Sequence, residues 1–335
     1  MSASVQSAAV ELDVVFLGTS GSTPTAKRAL SATLVRRGGD RLLFDCSEGT
    51  QRQLLKSDVG LVELEEIFLT HYHADHYLGL PGMLKTFALR GRELPLTIYG
   101  PPGLDELLAT LRRIFGRLTY PVSTVELDPG SSLVRDGYRI EAFAVDHGVS
   151  AIGYSLAEET RPGRFDVEVA TSLGVPDGPE RGVLQRGESV RLADGRVVTP
   201  ADVLGPARAG RKIVLSGDTA PAATVVEAAA KADLLVHEAT FLADERARAR
   251  ETLHSTAGEA ALVAQEAGVK LLALTHVSTR YFGHQVVEEA TQLFSATVVP
   301  RDFDLVAIPF PERGEPELVR AGARTSGAPI GSVES

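Results

Sequence analysis

Ile67-Phe-Leu-Thr70-His71-Tyr-His73-Ala-Asp75-His76 is the stretch that decides the reading of this chain. Ile67–Thr70 is an uncharged, mostly apolar run, read as a buried strand. It leads into a loop that places three histidines and an aspartate within six residues. The strand fixes where the loop starts, and the turn lets alternate side chains converge on one point. Imidazole nitrogen and carboxylate oxygen are good zinc ligands. The bland alternative is a solvated polar turn, and the density of imidazole argues against it.

Later strands repeat the geometry. Val145-Asp146-His147 ends one apolar run, Leu215-Ser-Gly-Asp218-Thr ends another, and Ala273-Leu-Thr-His276 ends a third. A lone histidine after a strand is more often a satisfied surface residue. Together, however, these positions bring the set to five histidines and two aspartates, too many for one tetrahedral site. The expectation is two zinc ions per chain. Two metals about 3.5–4 Å apart can share a water and clamp both the attacking and the leaving oxygen of a phosphodiester.

Outward from the motif, short apolar runs alternate with helical patterns. Strands are expected at Val14–Leu17, Leu42–Asp45, Ile67–Thr70, Leu96–Tyr99, Arg139–Val145, Ile152–Leu156, Lys212–Ser216, Leu234–Val236, Leu271–Leu274 and Asp304–Ile308. Helices are expected at Thr50–Lys56, Gly103–Phe115, Pro221–Ala230, Thr256–Ala267 and His284–Phe294, with Pro221 at a first helical position. The central strands are nearly continuous apolar runs, a sign of burial on both faces and of a layered α/β architecture. Residues 158–210 break the rhythm with Gly, Pro and charge, and read as a projecting arm; an ordinary surface insertion is the alternative. Residues 1–11 read as a frayed start and 312–335 as a disordered tail.

The 335 residues carry a net charge of −10, so a nucleic-acid role needs local positive charge with help from metal. The single cysteine, Cys46, excludes an internal disulfide and a cysteine zinc cage, and it suits the cytoplasm. The N-terminus has no basic region followed by an apolar core, and no run reaches the roughly 18 apolar residues that span a bilayer.

The ligand order His-x-His-x-Asp-His, His, Asp, His matches the metallo-β-lactamase superfamily. Further strings resemble one member, the tRNase Z family. These are Phe16-Leu-Gly-Thr-Ser-Gly-Ser-Thr-Pro24, Leu43-Phe-Asp-Cys-Ser-Glu-Gly-Thr-Gln51, Val236-His237-Glu238-Ala-Thr-Phe241 and Leu253-His254-Ser255-Thr256. Within the arm, Arg161-Pro-Gly-Arg164-Phe-Asp-Val and the Gly178-Pro179 step resemble the family exosite. The match covers about residues 12–310.

The resemblance implies a four-layer αββα sandwich with the metals at one edge. His71, His73 and His147 would hold one zinc, Asp75, His76 and His276 the other, and Asp218 would bridge them. Asp75 also belongs with the catalytic group, alongside His254 as general acid to the leaving oxygen and Glu238 as its orienter. Ser255 or Thr256 would in any case cap the following helix. Asp45, at the end of its strand, could orient a ligand histidine. Substrate contacts fall on Lys27, Arg28, Arg164, Gly178 and Pro179. The family pattern Pro-x-Lys-x-Arg-Asn reads here as Pro24-Thr-Ala-Lys27-Arg28-Ala29, with the basic pair respaced and the Asn absent.

The implied activity is cleavage of precursor tRNA after the discriminator base by a cytoplasmic homodimer, with the arm gripping the tRNA elbow. It would leave a 3′ hydroxyl on the tRNA and a 5′ phosphate on the trailer. The rival is a small-molecule phosphodiesterase or arylsulfatase-like hydrolase on the same fold, which would have no need of the arm. A non-catalytic binding module is disfavoured by the complete ligand set.

Overall fold

The computed structural model describes residues 10–61 and 64–322. Its first half runs β1 (Leu12–Gly18), β2 (Ala32–Arg37), β3 (Asp40–Phe44), α1 (Thr50–Lys56), β4 (Glu66–Phe68), α2 (Ala74–Tyr77), α3 (Leu80–Leu89), β5 (Leu96–Gly100), α4 (Leu104–Phe115) and β6 (Val122–Glu126). There follow β7 (Ser132–Arg135), β8 (Tyr138–Ala144), β9 (Ile152–Glu158), α5 (Val167–Ser172), α6 (Pro179–Gln185), β10 (Val190–Arg191), β11 (Val197–Val198) and α7 (Pro200–Val203). The chain closes with β12 (Lys212–Leu215), α8 (Ala223–Ala229), β13 (Leu234–Glu238), α9 (Arg246–Thr252), α10 (Ala257–Ala267), β14 (Leu271–Thr275), α11 (Gly283–Thr291), β15 (Thr297–Val298), β16 (Leu305–Ala307) and β17 (Glu317–Val319).

Two mixed sheets face each other, in the orders β17-β16-β1-β2-β3-β4-β5-β6 and β15-β14-β13-β12-β9-β8-β7. Alternation along β1 explains why. Val14 and Phe16 point into the core between the sheets, while Val15 and Leu17 point to the helices outside. Phe44, Phe68 and Tyr99 stack in that inner core, and Tyr154 from the second sheet meets Phe44 and Phe68 edge-on. Helices α1, α3 and α4 cover the first sheet through residues such as Leu54, Met83 and Leu111. Helices α8, α10 and α11 cover the second through Val225, Ala260, Ala264 and Val286. The result is the expected αββα sandwich.

Several details differ from the sequence expectations. Helix α8 starts at Ala223, so Pro221 lies outside it, before the N-cap Ala222. Strands β2, β6 and β7 and helices α3 and α9 were not read from the sequence. Strands β6 and β7 are half-buried edge strands and α9 is short and polar, whereas β2 is an interior strand whose apolar stretch is broken by Thr33 and ends in Arg36 and Arg37, and α3 opens with the Pro81-Gly82 step. Within 312–335, Glu317–Val319 is not a tail but an edge strand paired with β16; residues 323–335 lie outside the described part, as do residues 1–9 of the expected frayed start.

The segment after β9 returns at β12, and these two strands pair antiparallel, Ala157 opposite Lys212. Between them, α5 to α7 and the β10–β11 hairpin carry a hydrophobic cluster of their own, Ala170, Val175, Leu184, Val190, Val198 and Val203. Each short element contributes only one or two apolar residues, so no run betrays that core in the sequence. Strand β9 begins at Ile152, whose N–H donates to Thr70 O in the histidine loop at 2.9 Å, and ends at Glu158. The root of the inserted segment and the histidine loop therefore lie at opposite ends of one strand.

Candidate metal centre

The seven expected ligands reach one sheet edge from four directions. His71 and His73 lie in the loop after β4, and Asp75 and His76 in the first turn of α2. His147 follows β8, Asp218 follows β12, and His276 follows β14 in a left-handed backbone conformation, φ 54°. Loop 18–29 closes over this edge. Ser22 N–H donates to Asp75 Oδ2 at 2.9 Å, and a Cβ at Gly21 would lie 2.6 Å from His276 Nδ1, so only glycine fits there.

Two donor sets share one oxygen. His73 Nδ1 lies 3.1 Å from both His71 Nε2 and His147 Nε2, and the latter two lie 3.9 and 3.8 Å from Asp218 Oδ2. In the second set, His76 Nε2 and His276 Nε2 are each 3.3 Å from Asp218 Oδ2, and Asp75 Oδ2 is 3.8 and 3.4 Å from those two nitrogens. A tetrahedral cation bonded at about 2.1 Å has ligand–ligand edges of about 3.4 Å, so both sets have the right size.

The remaining nitrogens settle which lone pairs point inward. His76 Nδ1–H donates to Asp45 Oδ2 at 2.7 Å, and His147 Nδ1–H to Leu253 O at 3.0 Å. His71 Nδ1–H faces Thr70 Oγ1 at 3.0 Å, itself donating to Asp45, and His276 Nδ1–H faces Thr240 Oγ1 at 2.8 Å. These assignments follow from the partners and leave each Nε2 unprotonated and aimed at the shared space. His76 Nε2 is buried with no hydrogen bond of acceptable geometry, although Asp218 Oδ2 lies 3.3 Å away. Burial and the neighbouring rings keep His71 and His73 below the usual histidine range, hence neutral. Burial works against both an ionised Asp218 and a charged His76, but their mutual attraction, helped by His276 and Asp45, outweighs it. The Asp218 carboxyl is held well below its usual range and His76 well above its own, so a cation binding there displaces the His76 proton. Neutral imidazoles and ionised carboxylates are the forms that bind a divalent cation. The fit extends to Asp45, the strand-end residue marked from the sequence as an orienting acceptor.

Beside this cluster stands a carboxylate–imidazole pair. Glu238 ends β13, and its Oε1 accepts from His254 Nδ1–H at 2.7 Å and from Thr219 N–H at 2.9 Å. Its Oε2 accepts from Thr240 Oγ1–H at 2.6 Å. Burial would lower the His254 pKa, but the Glu238 carboxylate outweighs it and raises it to about 9. His254 follows Leu253, a left-handed residue at φ 54°, and precedes the Thr256–Glu259 capping box of α10. Thr256 thus caps the helix as expected, while His254 stays free of it. Thr240 ties Glu238 to His276, a link that sequence reasoning missed; its place two residues after Glu238 was the available signal. His237 stays apart, buried, with Nδ1–H donating to Glu238 O at 2.8 Å.

The expected substrate residues lie elsewhere. Lys27 is exposed, whereas Arg28 is half-buried and donates to the carbonyls of Val277, Ser278 and Tyr281, which makes it a brace for that loop. Arg164, Gly178 and Pro179 are exposed in the inserted segment, and Pro179 opens α6. Arg181 is turned inward, donating to Thr171 Oγ1 and Val175 O.

The fold and the metal edge together define a member of the metallo-β-lactamase superfamily, and residues 40–165 match the family model described as a beta-lactamase superfamily domain. The ribonuclease Z of Myxococcus xanthus is 51% identical over 81% of this chain and 88% of its own length; that of Methanosarcina acetivorans is 44% identical over 89% and 99%. The crystal structure of the short form of human tRNase Z superposes with a TM-score of 0.63 at 28% identity, covering 89% of this chain and 99% of that one. A metallo-β-lactamase fold protein from Bacillus subtilis, with a TM-score of 0.66 at 21% identity, matches in fold. The chain belongs to the ribonuclease Z family.

Proposed function

We propose that this chain is a two-zinc endoribonuclease that removes 3′ trailers from precursor tRNA, acting as a cytoplasmic homodimer. Cleavage after the discriminator leaves a 3′ hydroxyl on the tRNA and a 5′ phosphate on the trailer. The observation that carries this reading is the pair of donor sets meeting at Asp218 Oδ2 with the Glu238–His254 pair beside them, in a ribonuclease Z chain. His71, His73 and His147 would hold one metal and Asp75, His76 and His276 the other, with Asp218 between. When bound, the two ions lower the pKa of a water nucleophile and neutralise charge that builds on the phosphate.

The chain's own residues do the rest. Glu238 fixes the His254 ring through Nδ1, leaving Nε2–H to give its proton to the departing O3′ as the phosphorus–oxygen bond breaks. Asp75 is held by the Ser22 N–H, which fixes one carboxylate at the reacting edge. The inserted arm, rooted at the far end of β9, would hold the tRNA body through exposed residues such as Arg164 and the Gly178-Pro179 turn. The small-molecule alternative is not favoured by relatives that match over nearly their whole length. Support for a homodimer comes from the family resemblance and from exposed Leu89 and Ile114 on the outer helix layer. Among the described residues no helix is long and apolar enough to cross a membrane.

The test is elemental analysis of the gently purified protein, together with cleavage of end-labelled precursor tRNA and its mass by light scattering. About two zinc ions per chain, a cut after the discriminator and a dimer mass are expected. One metal or none, or products with a 3′ phosphate on the tRNA, would overturn it.

A further inference from the structure

Between loop 18–29, the segment that follows His276, and α11 lies an open cleft of about 770 Å³. Its floor is Thr19, Val277 and Tyr281; Val277 directly follows His276. Four basic residues line it, Lys27, Arg28, Arg301 and Arg320, against one acid, Glu288, in a chain whose net charge is −10. Arg28 braces its loop and Arg320 pairs with Asp304 at 2.6 Å, but the side chains of Lys27 and Arg301 make no hydrogen bond or ion pair among the described residues. At the mouth, Phe282 is 71% exposed and stacks on His284 with ring centroids 5.8 Å apart and planes 14° from parallel.

A bare aromatic pair beside unpaired cations is the composition that binds unpaired nucleic acid. Bases stack on the rings regardless of sequence, and phosphates meet the cations. An apolar partner would not use the four bases, and a small metabolite would not need so wide a groove. The arm root is at the other end of β9. An RNA gripped there, with its 3′ end at the metals, has only the strand beyond the cut free to reach the cleft. Resting on the nuclease reading above, we propose that the Phe282–His284 platform with Lys27 and Arg301 is a binding site for the single-stranded trailer.

The test compares precursor tRNAs of identical body carrying trailers of about two and about twelve nucleotides. Phe282→Ala and Arg301→Ala should each raise KM for the long trailer about 5- to 50-fold. They should leave kcat, the short-trailer precursor and bis(p-nitrophenyl) phosphate unchanged, and Phe282→Tyr should restore KM. A free oligouridylate of about ten nucleotides should compete with the long-trailer precursor for the wild type and much less for Phe282→Ala. An unchanged KM overturns the site, and an equal rise for both trailers assigns the cleft to the tRNA body and overturns it too. A wild type that cuts neither precursor overturns the nuclease reading instead, an outcome distinct from a loss confined to the variants.

Discussion

The two ends of strand β9 are built on different physics. At the Ile152 end, His71, His76, His147, Asp218 and His276 are all buried, and the outer nitrogen of each of these four imidazoles meets a carbonyl, a hydroxyl or a carboxylate. Inside that network a lost partner leaves a buried polar group unsatisfied, so small changes are expensive and geometry is rigid. At the Glu158 end, Glu158 itself is buried against Arg211, but the arm's own two ends are tied on by partly solvated cation–carboxylate contacts. Glu312 takes Arg161 in a two-pronged pair at 2.8 and 2.9 Å, and Arg208 at 3.0 Å. Such contacts are individually weak and adjustable. On the function proposed above, chemistry would sit where placement must be exact to within a fraction of an ångström, and grip where a large substrate has to be accommodated.

The largest break in this comparison is at the shared oxygen. Asp218→Ala should lower cleavage of precursor tRNA and of bis(p-nitrophenyl) phosphate alike, by about 10⁴-fold or more, with metal content falling with it. His73→Ala, which removes a ligand of one set only, should retain more metal and more activity. If the Asp218 variant keeps near-normal turnover, the oxygen does not serve both donor sets.

His254→Ala comes next. The rate should fall by about 10²- to 10⁴-fold with metal content intact. Glu238→Gln, which keeps the shape but removes the charge, should fall in the same direction by less. Loss of metal from the His254 variant would make that ring a ligand, consistent with the donor group it also forms with His147 and Asp218.

How much of this could be read in advance differs between the two ends. The clustering of the seven candidate donors was legible because metal binding demands particular atoms at strand ends, and the strands announce themselves as apolar runs. Asp45 was legible for the same reason. Thr240 and the Leu253 carbonyl were not, since a hydroxyl or a backbone oxygen becomes an orienting partner only through tertiary placement. The arm was legible as an interruption, yet its hydrophobic cluster was not, because Ala170, Leu184 and Val203 come from three separate short helices. The cleft at Phe282 was invisible: its lining is drawn from loop 18–29, α11 and the residues around β16.

Removing the arm sharpens the contrast. Replacing residues 162–207 by a short Gly-Ser linker keeps the Arg161–Arg208 bridge and every metal-edge residue. KM for precursor tRNA should rise about 10²-fold while bis(p-nitrophenyl) phosphate is cut as before. A truncated enzyme that folds, binds metal and processes precursor tRNA at full efficiency would reduce the arm to an ordinary insertion.

The smallest effect tests whether the root sets the pose of the arm. Phe310 lies between two guanidinium groups, Arg161 at 3.5 Å and Arg211 at 3.9 Å from its ring centre. Arg211 is buried and tied to Glu158 at 2.7 Å, so it anchors to the sandwich, while Arg161 belongs to the arm and is tied to Glu312. Glu312→Gln removes the charge that gathers Arg161 and Arg208 and leaves Arg211 untouched. Being largely solvated, the pair should contribute no more than about 1 kcal/mol to folding, so the melting curve should barely move. KM for precursor tRNA should nonetheless rise a few-fold, with kcat and small-diester hydrolysis unchanged, and Glu312→Asp should recover part of the loss. Hydrogen bonds from Arg161 hold the Glu312 carboxyl near pKa 2 against an ordinary 4.5. With a depressed folded-state value, its stabilisation is present above the ordinary pKa and lost only as pH falls towards 2. The clamp therefore adds no pH dependence to KM between about pH 6 and 9. A Glu312→Gln enzyme with wild-type KM would mean that the arm finds its place without the clamp, by the packing of Phe310 alone.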